Sequence, residues 1–130
     1  MIIAVDFDGV LCEDKFPDIG APKYGVISAI RQLIDDGHEV VLWTTRNGSE
    51  LTKAVEWCTD RGLHFCNVNG PAPSNAKAYK DVYATESRKI YADVYIDDHN
   101  IDLYGEVATP RITSDIIKMR MRRNLWKEEN

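Results

Sequence analysis

Ile2 to Val5 form a continuously apolar and mostly β-branched run that breaks off at Asp6, the pattern of a strand buried on both faces of a parallel sheet. From Val26 to Ile34 the spacing becomes helical: Val26, Ile27, Ile30, Leu33 and Ile34 share one stripe, and Gly37 after Asp36 supplies a left-handed cap. Glu39 to Trp43 is a second short strand, ending at Thr44. Asn47 then stands as the cap of another helix, with Glu50 at the third position of a capping box. Leu51, Ala54, Val55 and Cys58 form that helix's apolar face, which closes at Gly62.

Beyond Gly62 the signal weakens. HFCNVN predicts a poorer third strand, and residues 69 to 88 carry turn residues without periodicity, predicting a loop with at most one short helix. Ala92 to Ile96 repeats the buried-strand pattern and again ends in acids, Asp97 and Asp98. Val107 fits a short edge strand, and Thr113 caps a final helix with Ile117, Met121 and Leu125 on one face. The alternation predicts an α/β fold: a three-layer α/β/α, Rossmann-like domain with a mostly parallel central sheet, since parallel neighbours require crossover-length connections. Ligands bind such sheets beyond the carboxyl ends of the strands, where Asp6, Asp8, Thr44, Asp97 and Asp98 all fall.

At 130 residues the chain is expected to form one domain, residues 1–130. A net charge of −5 disfavours non-specific binding to polyanions. Cys12, Cys58 and Cys66 make neither an even disulfide set nor a C-x-x-C motif, which fits a reducing compartment. With no signal-peptide pattern and no apolar stretch of membrane-spanning length, the expectation is a cytoplasmic protein without a membrane partner.

If the strand ends meet, several carboxylates share one cleft. Two unit charges about 4 Å apart repel by roughly 4 kcal/mol at an effective dielectric near 20, so such a cluster takes up protons or binds a cation. Oxygen ligands without His or Cys favour Mg²⁺, completed by water and substrate phosphate. Asp6 and Asp8, two residues apart on a strand leading into Gly9, could divide the work of attack and proton transfer. Thr44 and a lysine would hold phosphoryl oxygens.

DFDGVL resembles the DxDGT/V first motif of the haloacid dehalogenase superfamily of phosphohydrolases. VVLWTTR resembles the second motif, and KIYADVYIDD the third and fourth; together they span residues 2 to 104. The resemblance implies a Mg²⁺-dependent phosphatase working through an aspartyl-phosphate. Asp6 would be nucleophile and metal ligand, and Asp8 the general acid and base whose backbone carbonyl also binds the metal. Thr44 would bond the phosphoryl group and Lys89 neutralise it, with Lys77 and Lys80 as rival lysines; Asp97 and Asp98 complete the metal set. Gly9, Thr45 and Arg46 fall beside the phosphate in the same comparison. The family's cap insertions are absent, which marks a minimal, capless member. Its substrate would be a phosphorylated macromolecule, or a small molecule enclosed by a homo-oligomeric lid.

Blander readings exist for each feature. A DxD pair after a strand is a common turn, Thr44 and Thr45 are ordinary strand-end residues, and Arg46 either pairs an anion or is a solvated charge. His38 and His64 read as structural or exposed, His99 as a residue behind the metal ligands, and Cys12 as a small packed thiol. Lys118, Arg120, Arg122 and Arg123 read as a solvated helix face, and Trp126 as either a packing or a subunit contact. The rival functions are a non-catalytic or signalling phosphate-binding module of the same fold, and a receiver domain. Motif order argues against the receiver, because here the lysine precedes the late acidic pair.

Overall fold

The computed structural model describes residues 1–75 and 89–99, and all structural statements concern these. The chain divides at Asp98 into a unit Met1–Asp98 and a unit His99–Asn130. The expected edge strand at Val107, the Thr113 helix with Ile117, Met121 and Leu125, the basic run, Trp126, Lys77 and Lys80 lie outside the described residues.

The central sheet has four strands in the order β5-β4-β1-β6: β5 (Asn67–Val68), β4 (Glu39–Leu42), β1 (Ile2–Val5) and β6 (Val94–Ile96). Every pairing is parallel, with Val5 opposite both Leu42 and Ile96. This is the expected α/β fold with a mostly parallel sheet. All four residues of β1 are buried, as a central strand covered on both faces requires.

The crossovers are α1 (Tyr24–Asp35), between β1 and β4, and α2 (Gly48–Asp60), between β4 and β5. Both step the same way across the sheet, and right-handed connections put their helices on one face. Helix α1 buries Ile27, Ala29, Ile30 and Leu33; Ile27, Ile30 and Leu33 belong to the expected stripe, while its outer members Val26 and Ile34 are half-buried and Ala29 takes their place in the interior. The opposite face, with Ile2, Ala4 and Val41, packs against Ala72, Ile90 and Ala92. Among the described residues no helix is long and apolar enough to cross a membrane.

Both helices end in the same motif. Gly37, at φ 88°, donates to the Ile34 carbonyl and His38 to that of Leu33; Gly62, at φ 77°, donates to Thr59 and Leu63 to Cys58. The start of α2 departs from expectation. Asn47 is the N-cap residue, yet its side chain makes no capping hydrogen bond, and the Glu50 carboxylate turns instead toward Arg46 at 3.8 Å and Lys53 at 3.5 Å. Charge attraction displaces the capping box.

Residues 12–22 form an antiparallel hairpin, β2 (Cys12–Lys15) and β3 (Asp18–Pro22), with a register shift between Cys12 and Asp14. A Cβ at Gly20 would lie 2.2 Å from the Glu13 carbonyl oxygen, so only glycine lets the two strands approach there. At the turn, Asp14 Oδ1 accepts a hydrogen bond from the Phe16 amide at 3.2 Å.

Candidate functional site

Strand order reverses at β1: the chain leaves it toward β4 and returns on its other side as β6. That reversal opens the crevice in which doubly wound sheets bind ligands. Asp6 lies at its lip. The Asp6 amide donates to the Ile96 carbonyl at 3.0 Å, extending the β1–β6 pairing by one residue. Carboxylate oxygens of Asp6, Asp97 and Asp98 consequently lie within 4.8 Å of one another. Between Asp6 and Asp8, the Phe7 side chain is fully buried with its ring edge-on to Trp57 at 5.4 Å, anchoring the strand exit.

Gly9 completes this corner. Its φ of +83° is left-handed, and a Cβ built on it would lie 1.9 Å from Asp98 Oδ2. The Asp98 carboxylate therefore rests where any other residue would place a side chain. Gly9→Ala should destabilise the fold by about 1–2 kcal/mol from backbone strain alone and push Asp98 away from Asp6. Urea unfolding together with Mg²⁺ titration checks this, and wild-type values in both would contradict it.

Burial is the main cause that raises the Asp6 carboxyl from 3.8 to about 6; the negative charges of Asp97, Asp98 and Asp8 add to it, and the Phe7 amide, donating to Oδ1 at 2.7 Å, partly opposes it. The folded protein thus holds this proton more tightly than the unfolded chain. Between pH 3.8 and about 6 the folded state binds more protons, so this group's contribution to stability falls as pH rises, and its full cost is present above about 6. A cation bound by ionised carboxylates reverses that cost. Mg²⁺ should therefore raise the melting temperature more at about pH 7.5 than at about pH 5; an equal shift at both would count against a carboxylate site.

Asp8 faces elsewhere. Arg46 grips it with a two-pronged fork, Nε to Oδ2 at 2.8 Å and Nη2 to Oδ1 at 2.7 Å. The guanidinium is wholly buried, Asp8 is 16% exposed, and the same cation donates to the hairpin carbonyls of Pro17 at 3.1 Å and Asp18 at 2.8 Å. The rings of Phe7 and Phe16 each lie 5.1 Å from its central carbon. Arg46 thus pairs a carboxylate of the protein, one of the alternatives its sequence position allows. The acids meet as Asp6 with Asp97 and Asp98, while Asp8 stands beside them on Arg46.

The Thr44 hydroxyl accepts the Arg46 amide at 3.2 Å, leaving its own proton to donate, and Thr45 is exposed. Lys89 Nζ lies 5.1 Å from the centre of the ring of Tyr95, a β6 residue two positions before Asp97. Sequence reading missed two supports. Asn69, at φ 51°, accepts the Thr44 amide through Oδ1 at 2.8 Å, and Lys23 Nζ donates to the Gly9 carbonyl at 2.9 Å. An Asn after a weak strand was the available signal for the first, since Asn tolerates left-handed backbone. An open cleft of about 370 Å³ between the hairpin and α2 is lined by Pro17, Asp18, Ile19, Lys53, Glu56, Trp57 and Asp60, and by none of Asp6, Asp8, Asp97 and Asp98.

Chemically, the corner offers three clustered carboxylates without a His or Cys, a donor set suited to a hard divalent cation such as Mg²⁺. No protein-family model matches the chain, and no curated protein does. A solved structure does: the conserved protein coded by a locus from Bacteroides thetaiotaomicron is 35% identical with a TM-score of 0.73, over 92% of this chain and 91% of that one.

Proposed function

From a chain that belongs to the same family as that conserved Bacteroides thetaiotaomicron protein, and whose motifs resemble haloacid dehalogenase phosphohydrolases, we propose a phosphomonoesterase working through an aspartyl-phosphate. The observation that carries this reading is the gathering of Asp6, Asp97 and Asp98 at the strand-order reversal, with the Asp6 carboxyl raised to about 6. At neutral pH Asp6 is then ionised yet poorly solvated, the state of a competent oxygen nucleophile.

Asp6 Oδ attacks phosphorus, the bond from phosphorus to the ester oxygen breaks, and Asp8, which must first give up one of its two Arg46 hydrogen bonds to carry a proton, protonates that oxygen. Water then attacks the aspartyl-phosphate, yields its proton to Asp8, and releases phosphate with Asp6 regenerated. The Thr44 hydroxyl donates to a phosphoryl oxygen, and Lys89 supplies positive charge. Asp6, Asp97 and Asp98 would hold Mg²⁺, with the Asp8 carbonyl as a further ligand; when bound, the ion supplies charge neutralisation for phosphate beside carboxylates.

The insertion after the first motif is only the β2–β3 hairpin. So short a first-motif insertion suits a phosphate at the end or on the surface of a macromolecule, or a small phosphoester enclosed by a second copy. A non-catalytic phosphate-binding module is the second reading, favoured by the Arg46 fork that engages both Asp8 oxygens. Phosphate release from a broad phosphoester panel, with Mg²⁺ and again with chelator, separates the two. Turnover that needs the metal is expected, and none on any substrate would leave the binding module.

A further inference from the structure

The exit of β4 is tied to both of its neighbouring strands. On the β1 side the Trp43 amide donates to the Val5 carbonyl at 2.8 Å, which keeps the chain paired with the strand of Asp6 to within one residue of Thr44. On the β5 side the Asn69 amide donates to the Leu42 carbonyl at 2.8 Å. Rungs of a parallel ladder are evenly spaced, so the next one would carry the Thr44 amide to the main-chain carbonyl of Asn69. It goes to that residue's side chain instead. Oδ1 accepts the Thr44 amide at 2.8 Å, because at φ 51° the backbone of Asn69 has already turned out of the sheet. Pro71, with no amide hydrogen, cannot extend the ladder further.

The turn that presents this oxygen is braced from within. Asn67 Oδ1 accepts the Val68 amide at 2.8 Å, and Asn67 Nδ2 donates to the Pro71 carbonyl at 2.9 Å. A Cβ on Gly70 would lie 2.6 Å from that Nδ2, so the turn closes only around glycine. Thr44 is thereby held at two atoms, its amide by Asn69 and its Oγ1 by the Arg46 amide at 3.2 Å. A hydroxyl carries one proton and two lone pairs, so the Arg46 amide takes a lone pair and leaves the proton to be given to a ligand.

We infer that Asn69 is a positioning residue for the phosphoryl pocket: its Oδ1 stands in for a strand carbonyl, occupies the Thr44 amide, and so fixes the direction in which Thr44 offers its hydroxyl. The assignment of that hydroxyl to a phosphoryl oxygen rests on the phosphatase reading; the anchoring of Thr44 does not. Without the anchor Thr44 becomes the loose end of a strand. A donor misplaced by about 1 Å costs on the order of 100-fold in rate, so even partial loosening is measurable.

Three substitutions in the full chain test this. Asn69→Gly keeps the left-handed turn and removes the acceptor. Asn69→Asp keeps the acceptor, and Thr44→Val removes the hydroxyl itself. With Mg²⁺ and an ester that the natural chain hydrolyses, Asn69→Gly should lower kcat/KM about tenfold and Thr44→Val about 100-fold. Adding Asn69→Gly to Thr44→Val should cost less than about twofold more, since no hydroxyl is left to direct. A purely structural role lowers kcat/KM by the same factor in both backgrounds; that result, or no loss in Asn69→Gly alone, overturns the inference.

Amide hydrogen exchange read by NMR needs no turnover. Asn69→Gly should speed exchange at Thr44 by at least about tenfold relative to Val41, while Asn69→Asp leaves it slow. Unchanged protection in Asn69→Gly, or lost protection in Asn69→Asp, overturns the anchoring. A protein that hydrolyses no ester, yet frees the Thr44 amide only when the acceptor is removed, would refute the phosphatase reading and leave the anchor standing.

Discussion

Asp6→Asn is expected to bring phosphate release down to background, a loss of about 10⁴-fold or more in kcat, the scale seen when a nucleophile acting in concert with its base is removed. The amide has nearly the shape of the carboxylate and can still accept the Phe7 amide, so geometry is kept while nucleophilicity is lost. It also removes a negative charge clustered with Asp97 and Asp98, whose proximity adds to burial in holding the Asp6 carboxyl near 6. At neutral pH the variant should therefore be at least as stable as the natural chain. That combination, a dead site in a sturdier fold, separates a nucleophile from a structural acid. Single-turnover assays and thermal melts measure the two halves, and wild-type turnover would remove Asp6 from the role.

Much of the frame was legible because it is written in local, periodic signals. The run Ile2 to Val5 is buried throughout, the stripe of α1 faces inward, and Gly37 and Gly62 end their helices as their positions predict. The acids at the ends of β1 and β6 could be named from sequence since a parallel sheet gathers its carboxyl ends on one side. The hairpin could not be read in the same way. CEDKFPDIGAP lacks an alternating apolar face, with only Cys12 buried in β2. Its order rests on the close approach at Gly20 and on Arg46, whose partners are 28 to 38 residues distant. Local charge explains the missing capping box, as Glu50 is drawn to Arg46 four residues before it and Lys53 three residues after. An arginine directly after a buried strand, in a chain with an acidic pair after another, was the available hint. Sequence alone left open whether it pairs protein or phosphate.

The pair itself makes the strongest stability prediction. With Asp8→Ala, the wholly buried guanidinium of Arg46 keeps two carbonyl acceptors and a distant Glu50 but loses its counter-charge. Removing one partner of such a pair costs about 3–5 kcal/mol, because the remaining charge is stranded away from water. The lower part of that range is expected here, as Asp8 retains some contact with solvent and Glu50 lies 3.8 Å away. Neutralising both members tests the cause. Asp8→Leu combined with Arg46→Met leaves no buried charge, so it should recover most of the loss, since well-packed apolar replacements of a buried pair are often neutral. Urea unfolding of the single and double variants gives the coupling directly. If Asp8→Ala alone costs less than about 0.5 kcal/mol, the value typical of an exposed pair, then Arg46 does not depend on Asp8 for its place. If the double variant is as unstable as the single one, the loss comes from packing around Phe7 and Phe16 and not from the stranded charge.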